Sequence, residues 1–200
     1  MKSSLLWMQD YVDVDMNQDM QAFADTLTIA GIPVEQVEYW GNEIKNVVTG
    51  KILKIEKHPD ADHLVICQID VGTEQLQIVT GAANVREGQI VPVAVHGAHL
   101  PGGVKIKRSK LRGVPSNGML CSAHELGFDD SVLLPKEREG IWILPADTPV
   151  GVDAVDYLKL KDVVNEYELT ANRPDCFSMV GLSREFAILS GKQAPDPEIT

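Results

Sequence analysis

Three clusters along this 200-residue chain carry side chains that could do chemistry. The first is His58, Asp60, Asp62 and His63, whose imidazoles and carboxylates nearly spell the ligand cluster of a binuclear metallohydrolase. Asp60 stands where such a cluster needs a histidine, and the other histidines are only His96, His99 and His124. A hairpin turn in which Asp60 and Asp62 bond local amides explains the same residues, so no metal is expected. The second cluster is Cys121, Ser122, His124 and Glu125, which supplies a nucleophile, a base and an orienting carboxylate. Closeness in sequence is not triad geometry, and a strand end followed by a capped helical turn accounts for it without catalysis. The third is Lys105, Lys107, Arg108, Lys110 and Arg112, five cations within eight residues. It reads as a contact for a polyanion or as an edge strand charged against aggregation. No Walker A or G-x-G-x-x-G pattern supports nucleotide binding.

The elements that must position these groups are short β-branched runs at 47–56, 65–71, 76–80 and 90–95, separated by glycine-rich turns, with a last strand at 119–121. They predict a compact five-stranded barrel or sandwich. Lys51 and Lys54 are expected on opposite faces of the first strand, and Pro59 ends it. Residues 97–103 read as a loop, and 140–144 as a buried strand closed by Pro145. Outside this block the periodicity turns helical. One short helix covers 5–12 behind two serines, a second opens with Asp15 as its cap and stops at Gly31, and a third carries the stripe Met179, Leu182, Phe186 and Leu189 up to Gly191. A strand is expected over 163–170. The chain is therefore expected to be α+β, with the barrel at 41–150 inserted into a small, mainly helical, discontinuous domain made of 1–40 and 151–200.

An apolar fraction of 44% can supply a core, and no apolar run approaches the roughly 18 residues of a membrane span. The N-terminus lacks the apolar segment of a signal peptide. Cys67, Cys121 and Cys176 are odd in number and widely spaced, which fits a reducing, cytoplasmic setting. The net charge of −11 weighs against a nucleic-acid partner only until its distribution is read. Residues 40–150 hold 12 Lys/Arg against 13 Asp/Glu, whereas the remaining 89 hold 6 against 16. A polyanion responds to the local field, so the acidic flanks do not exclude it. No Phe, Trp or Tyr occurs from 41 to 127. Extended single-stranded DNA or RNA needs aromatic faces for base stacking, so a folded RNA met through phosphates and 2′-hydroxyls is the better match, and DNA is not expected.

Several motifs resemble a known family. The segments 58–64 (HPDADHL), 78–84 (IVTGAAN), 97–103 (GAHLPGG) and 111–127 (LRGVPSNGMLCSAHELG) are similar to the OB-fold tRNA-binding module. In the flanks, 5–8 (LLWM), 30–35 (AGIPVE) and 168–185 (ELTANRPDCFSMVGLSRE) resemble the start of the bacterial phenylalanine–tRNA ligase β subunit. The resemblance implies an auxiliary segment of a longer subunit, in an α2β2 enzyme whose α subunit carries out aminoacylation with ATP and Mg2+. Editing would lie in β domains beyond residue 200, leaving this segment no cofactor and no catalytic residue. Read with the basic run, tRNA phosphates are expected to meet Lys105, Lys107, Arg108, Lys110 and Arg112, with Lys51, Lys54, His58 and Ser116 behind them. Gly102, Gly103, Gly113 and Gly118 would shape the loop. His63 departs from the family, which commonly has lysine there. The alternative is a protein-interaction module that docks the α subunit or the rest of β.

Overall fold

The computed structural model describes residues 1–196. Along them run β1 (Lys2–Ser4), α1 (Leu5–Met8), α2 (Met20–Ile29), β2 (Val34–Trp40), β3 (Lys45–Lys57), β4 (Val65–Asp70), β5 (Gln75–Thr80), β6 (Ile90–Leu100), β7 (Val104–Lys105), β8 (Ser109–Leu111), β9 (Val114–Ser116), β10 (Gly118–Leu120), α3 (Ala154–Tyr157), β11 (Asp162–Tyr167) and α4 (Met179–Ser190). The protein is mixed α/β, mostly sheet with few helices. Gly41–Leu160 forms one unit, and Met1–Trp40 with the described residues from Lys161 onward forms another.

The discontinuous unit is built on a three-stranded antiparallel sheet in the order β1-β11-β2. A mainly helical reading of the flanks misses this sheet because β1 is only three residues long and its partner comes from the far end of the chain. Ser4 caps α1 by accepting the Trp7 N–H, but the helix stops at Met8 and turns carry the chain to Val12. The cap of α2 is Asp19, which accepts from the Gln21 and Ala22 amides, and not Asp15. Asp15 instead accepts the Asn17 N–H in the preceding turn. Met20 and Leu27 then face a core shared with Leu182 and Phe186 of α4. The Phe23 and Phe186 rings meet at 4.2 Å between centroids.

The other unit arranges its strands as β10-β6-β3-β4-β5, all antiparallel, with β7 folded back on β6 and β8–β9 forming a separate hairpin. Regular alternation fails at Leu53. A bulge between Ile52 and Lys54 absorbs one residue, so Ile52 and Ile55 both turn inward opposite Ile69 and Cys67. Lys51 and Lys54 consequently share the outer face, opposite Asp70 and Gln68, which corrects the expectation of opposite faces. Strand β6 continues through Gly97 to Leu100, so most of the expected 97–103 loop is strand. Residues 140–144 form no strand beyond one bridge from Leu144 to Ile90.

The ends of the sheet path, β5 and β10, approach without a strand ladder. The Asn117 N–H donates to the Gln77 carbonyl at 2.8 Å, and the Val79 N–H donates to Ser116 Oγ at 3.1 Å. The Ser116 hydroxyl donates onward to the Gly118 carbonyl at 3.1 Å. This unit also extends past Val150, because Thr49 exchanges backbone bonds with Gly151 and Val152 at 2.8 and 2.9 Å. Ala154 and Val155 of α3 are buried with Val47 and Cys121 in its second core. Among the described residues no helix is long and apolar enough to cross a membrane.

Candidate nucleic-acid interface

The basic run is carried on a β-ribbon. Lys105 ends β7, Lys107 and Arg108 bridge to β8, Lys110 sits mid-strand in β8, and Arg112 occupies the tip. Arg112 and Gly113 have φ of 44° and 85°, the two positive values that a tight two-residue hairpin turn of type I′ requires. Glycine meets that requirement freely, whereas an arginine held left-handed costs roughly 1–2 kcal/mol. The turn places Arg112 between β8 and β9. All five side chains are exposed, and among the described residues none is ion-paired to a carboxylate. Lys105, Lys107, Ser109 and Leu111 line a groove of about 380 Å³ together with Val79 and Ile106.

Polar tethers hold this ribbon along its length, one of them beside its tip. The Asp60 N–H donates to His58 Nδ1 at 3.1 Å, which leaves the proton of the neutral ring on Nε2. His58 Nε2 then donates to the Leu111 carbonyl at 3.1 Å, so the turn after β3 grips the hairpin. Gln77 Nε2 donates to the Pro115 carbonyl at 2.8 Å. His96 Nδ1 accepts the Arg108 N–H at 3.3 Å. Together with Ser116 at the β5 seam, these bonds set where the cations stand. His58 and Ser116, taken from sequence as RNA contacts, are 6% and 1% exposed with their polar atoms engaged inside the chain. Gln77 and His96 escape a sequence reading, since a polar residue in a strand gives no hint of which carbonyl or amide it will meet.

Ser116→Ala should therefore act on stability and only indirectly on binding. It strands the Val79 N–H and the Gly118 carbonyl at the seam, which costs about 1–3 kcal/mol. Chemical denaturation should show that loss, and amide exchange at Val79 should accelerate in the folded protein.

The remaining expected residues scatter. Lys51 is exposed on the outer face of β3. Lys54 lies 2.6 Å from Glu56, and that hydrogen-bonded pairing raises its pKa while cancelling its charge locally. Gly102 and Gly103, at φ 74° and 78°, make the turn from β6 to β7. Gly118 has no unusual φ and lies within β10, where a Cβ would stand 2.7 Å from the Ala94 carbonyl oxygen. It serves strand packing and not loop shape.

Neither of the other clusters assembles. Both ring nitrogens of His58 are taken, and among the described residues no three His, Cys, Asp or Glu side chains converge as metal ligands. Ser122 and Glu125 bond each other at the start of the turn that ends at Gly127. His124 faces the Phe128 carbonyl and Asp130. Burial pushes the Cys121 thiol up to about 12, so it stays protonated.

The family model described as "Putative tRNA binding domain" matches residues 47–153, the span from β3 to the cap of α3 that contains the ribbon and all its tethers. The chain belongs to this tRNA-binding domain family. The domain is also similar to parts of larger proteins. Phenylalanine–tRNA ligase β subunits are 53% identical over 188 residues in Clostridium acetobutylicum, 55% over 185 in Moorella thermoacetica and 50% over 200 in Clostridium tetani. These alignments cover 94%, 92% and 100% of the chain but 23%, 23% and 24% of the relatives. The chain thus spans about a quarter of the length of the curated relatives it matches, and corresponds to their N-terminal region.

Proposed function

We propose that this chain binds folded tRNA through the tethered ribbon, as the N-terminal segment of a phenylalanine–tRNA ligase β subunit. The observation that carries this reading is five exposed cations, among the described residues unpaired with carboxylates, on and leading into a hairpin held by His58, Gln77 and Ser116 inside the family match. Lys105, Lys107, Arg108, Lys110 and Arg112 contact phosphates, and Lys51 lies behind them. The missing aromatic faces between 41 and 127 favour a duplex or folded surface over an unstacked strand. The strand order β10-β6-β3-β4-β5 and the Ser116 seam support an OB-type barrel whose last joint is made by a hydroxyl.

In the whole enzyme, aminoacylation with ATP and Mg2+ belongs to the α subunit of an α2β2 assembly in the cytoplasm, and this segment contributes tRNA binding. A second reading, docking of the α subunit or the rest of β, draws on the exposed Trp7, Ile29, Phe177 and Ile188 of the discontinuous unit. Titration of tRNA at several salt concentrations separates the two. Five phosphate contacts give a slope of log affinity on log salt near −4. A flat response, or equal affinity for an unstructured RNA of the same length, would overturn recognition of folded RNA by the ribbon.

A further inference from the structure

The register beside the ribbon brings together cations that are far apart in sequence. Lys45 on β3 lies directly opposite His99 on β6, and His99 lies directly opposite Lys105 on β7. Residues directly opposite on adjacent strands point to the same face, about 4.8 Å apart from strand to strand. The inner face is fixed independently, because Ile44, Ala98, Leu100 and Ile106 are all buried in one core. Lys45, His99 and Lys105 therefore stand in a row on the outer face. Lys107 joins it, because Ile106 on the opposite face is held by backbone bonds to Gly97 and Ala98 at 2.8 and 2.9 Å.

An irregularity creates this row. Continuing the register of Val47 opposite Ala94 would set Lys45 against His96. Instead the register shifts between Lys45 and Val47, with Asn46 at φ 56°, Gly97 at φ 84°, and Asn46 Nδ2 donating to the Gly97 carbonyl at 3.2 Å. The shift frees His96 to accept the Arg108 N–H and delivers His99 between the two lysines. Lysines flanking one imidazole across neighbouring strands repel each other. Among the described residues no carboxylate is ion-paired to Lys45, Lys105 or Lys107. A row of this kind is stabilised by an anion laid across it.

We propose that Lys45 and His99 extend the RNA-contact surface, continuing the ribbon's cations across β6 to β3 so that one further backbone phosphate of the bound RNA sits over the row. The inference rests on the tRNA-binding reading and adds a site outside the basic run. The test measures tRNA affinity of the 200-residue chain between 0.05 and 0.3 M salt, concentrations chosen to span roughly one Debye regime. Lys45→Ala should weaken binding roughly five- to tenfold at about 0.1 M salt and make the slope shallower by about 0.7–0.9. Lys45→Arg should restore both, His99→Ala should weaken binding by a smaller factor, and the thermal midpoint of Lys45→Ala should not fall. If the unaltered chain binds with its full slope and Lys45→Ala changes neither affinity nor slope, the row is overturned while the ribbon stands. If the unaltered chain shows no salt-dependent tRNA binding, both fall together.

Discussion

Replacing Lys107, Arg108 and Lys110 together with alanine is expected to weaken tRNA binding roughly 100- to 500-fold at about 0.1 M salt, and to make the salt slope shallower by about 2–3. Each of the three side chains is exposed, and none is ion-paired to a carboxylate among the described residues. Their removal costs the folded chain no partner, so urea denaturation should give an unchanged midpoint or a slightly higher one as self-repulsion falls. Arg112 is left in place deliberately. Its positive φ ties its identity to the hairpin turn, and a change there would mix geometry with charge. The expected pattern is a uniform loss across different tRNAs, because phosphate contacts position a partner without reading bases. Electrophoretic mobility shift or fluorescence anisotropy at three salt concentrations measures it. Retained tRNA affinity combined with failure to assemble into an α/β complex would transfer the ribbon to the docking reading.

What the sequence makes legible here is composition along the chain, and what it conceals is pairing. The strands of the central block, their glycine punctuation and the isolated basic run all follow from local patterns, since β-branched residues and turn formers act within a few positions. Leu53 shows the limit. Its bulge reverses the facing of Lys54, and only the partner strand β4 reveals it. Gly97 shows another, because a left-handed glycine reads as a loop from sequence but here bends a strand that keeps its partners. His58 and Ser116 have residue types that suit a phosphate contact, yet their partners, Leu111 and Val79, lie 53 and 37 residues away. Side-chain type does not distinguish a tether from a ligand contact. Lys45 was invisible for the same reason, since its neighbours in space come from β6 and β7.

Gly181→Ala is expected to destabilise the discontinuous unit and leave RNA binding in place. Helix α4 begins behind Ser178, whose hydroxyl accepts the Gly181 N–H at 3.1 Å, and it packs directly on the turn Pro174–Phe177. A Cβ on Gly181 would stand 1.9 Å from the Asp175 carbonyl oxygen and 2.6 Å from its carbonyl carbon. Both are backbone atoms and cannot rotate away, so either the helix or the turn must move. That turn is also braced by Arg173, which bonds Asp175 at 2.8 Å and Glu185 on α4 at 2.7 Å. The guanidinium hydrogen bond holds the Asp175 carboxyl down to about 2, so the brace persists through neutral pH and is lost only as pH falls from about 4 towards 2. Overpacking of this kind costs about 3 kcal/mol, enough to lower the melting of a core made from Leu182, Phe186, Met20 and Leu27 by several degrees. The ribbon, its tethers and the family match all lie in Gly41–Leu160, which has its own buried clusters. Calorimetry of Gly181→Ala should therefore show an earlier transition, with tRNA affinity below that transition equal to that of the unaltered chain. An affinity that drops together with the lost unit would place part of the RNA contact on the flanking residues and shift weight from the ribbon to the whole chain.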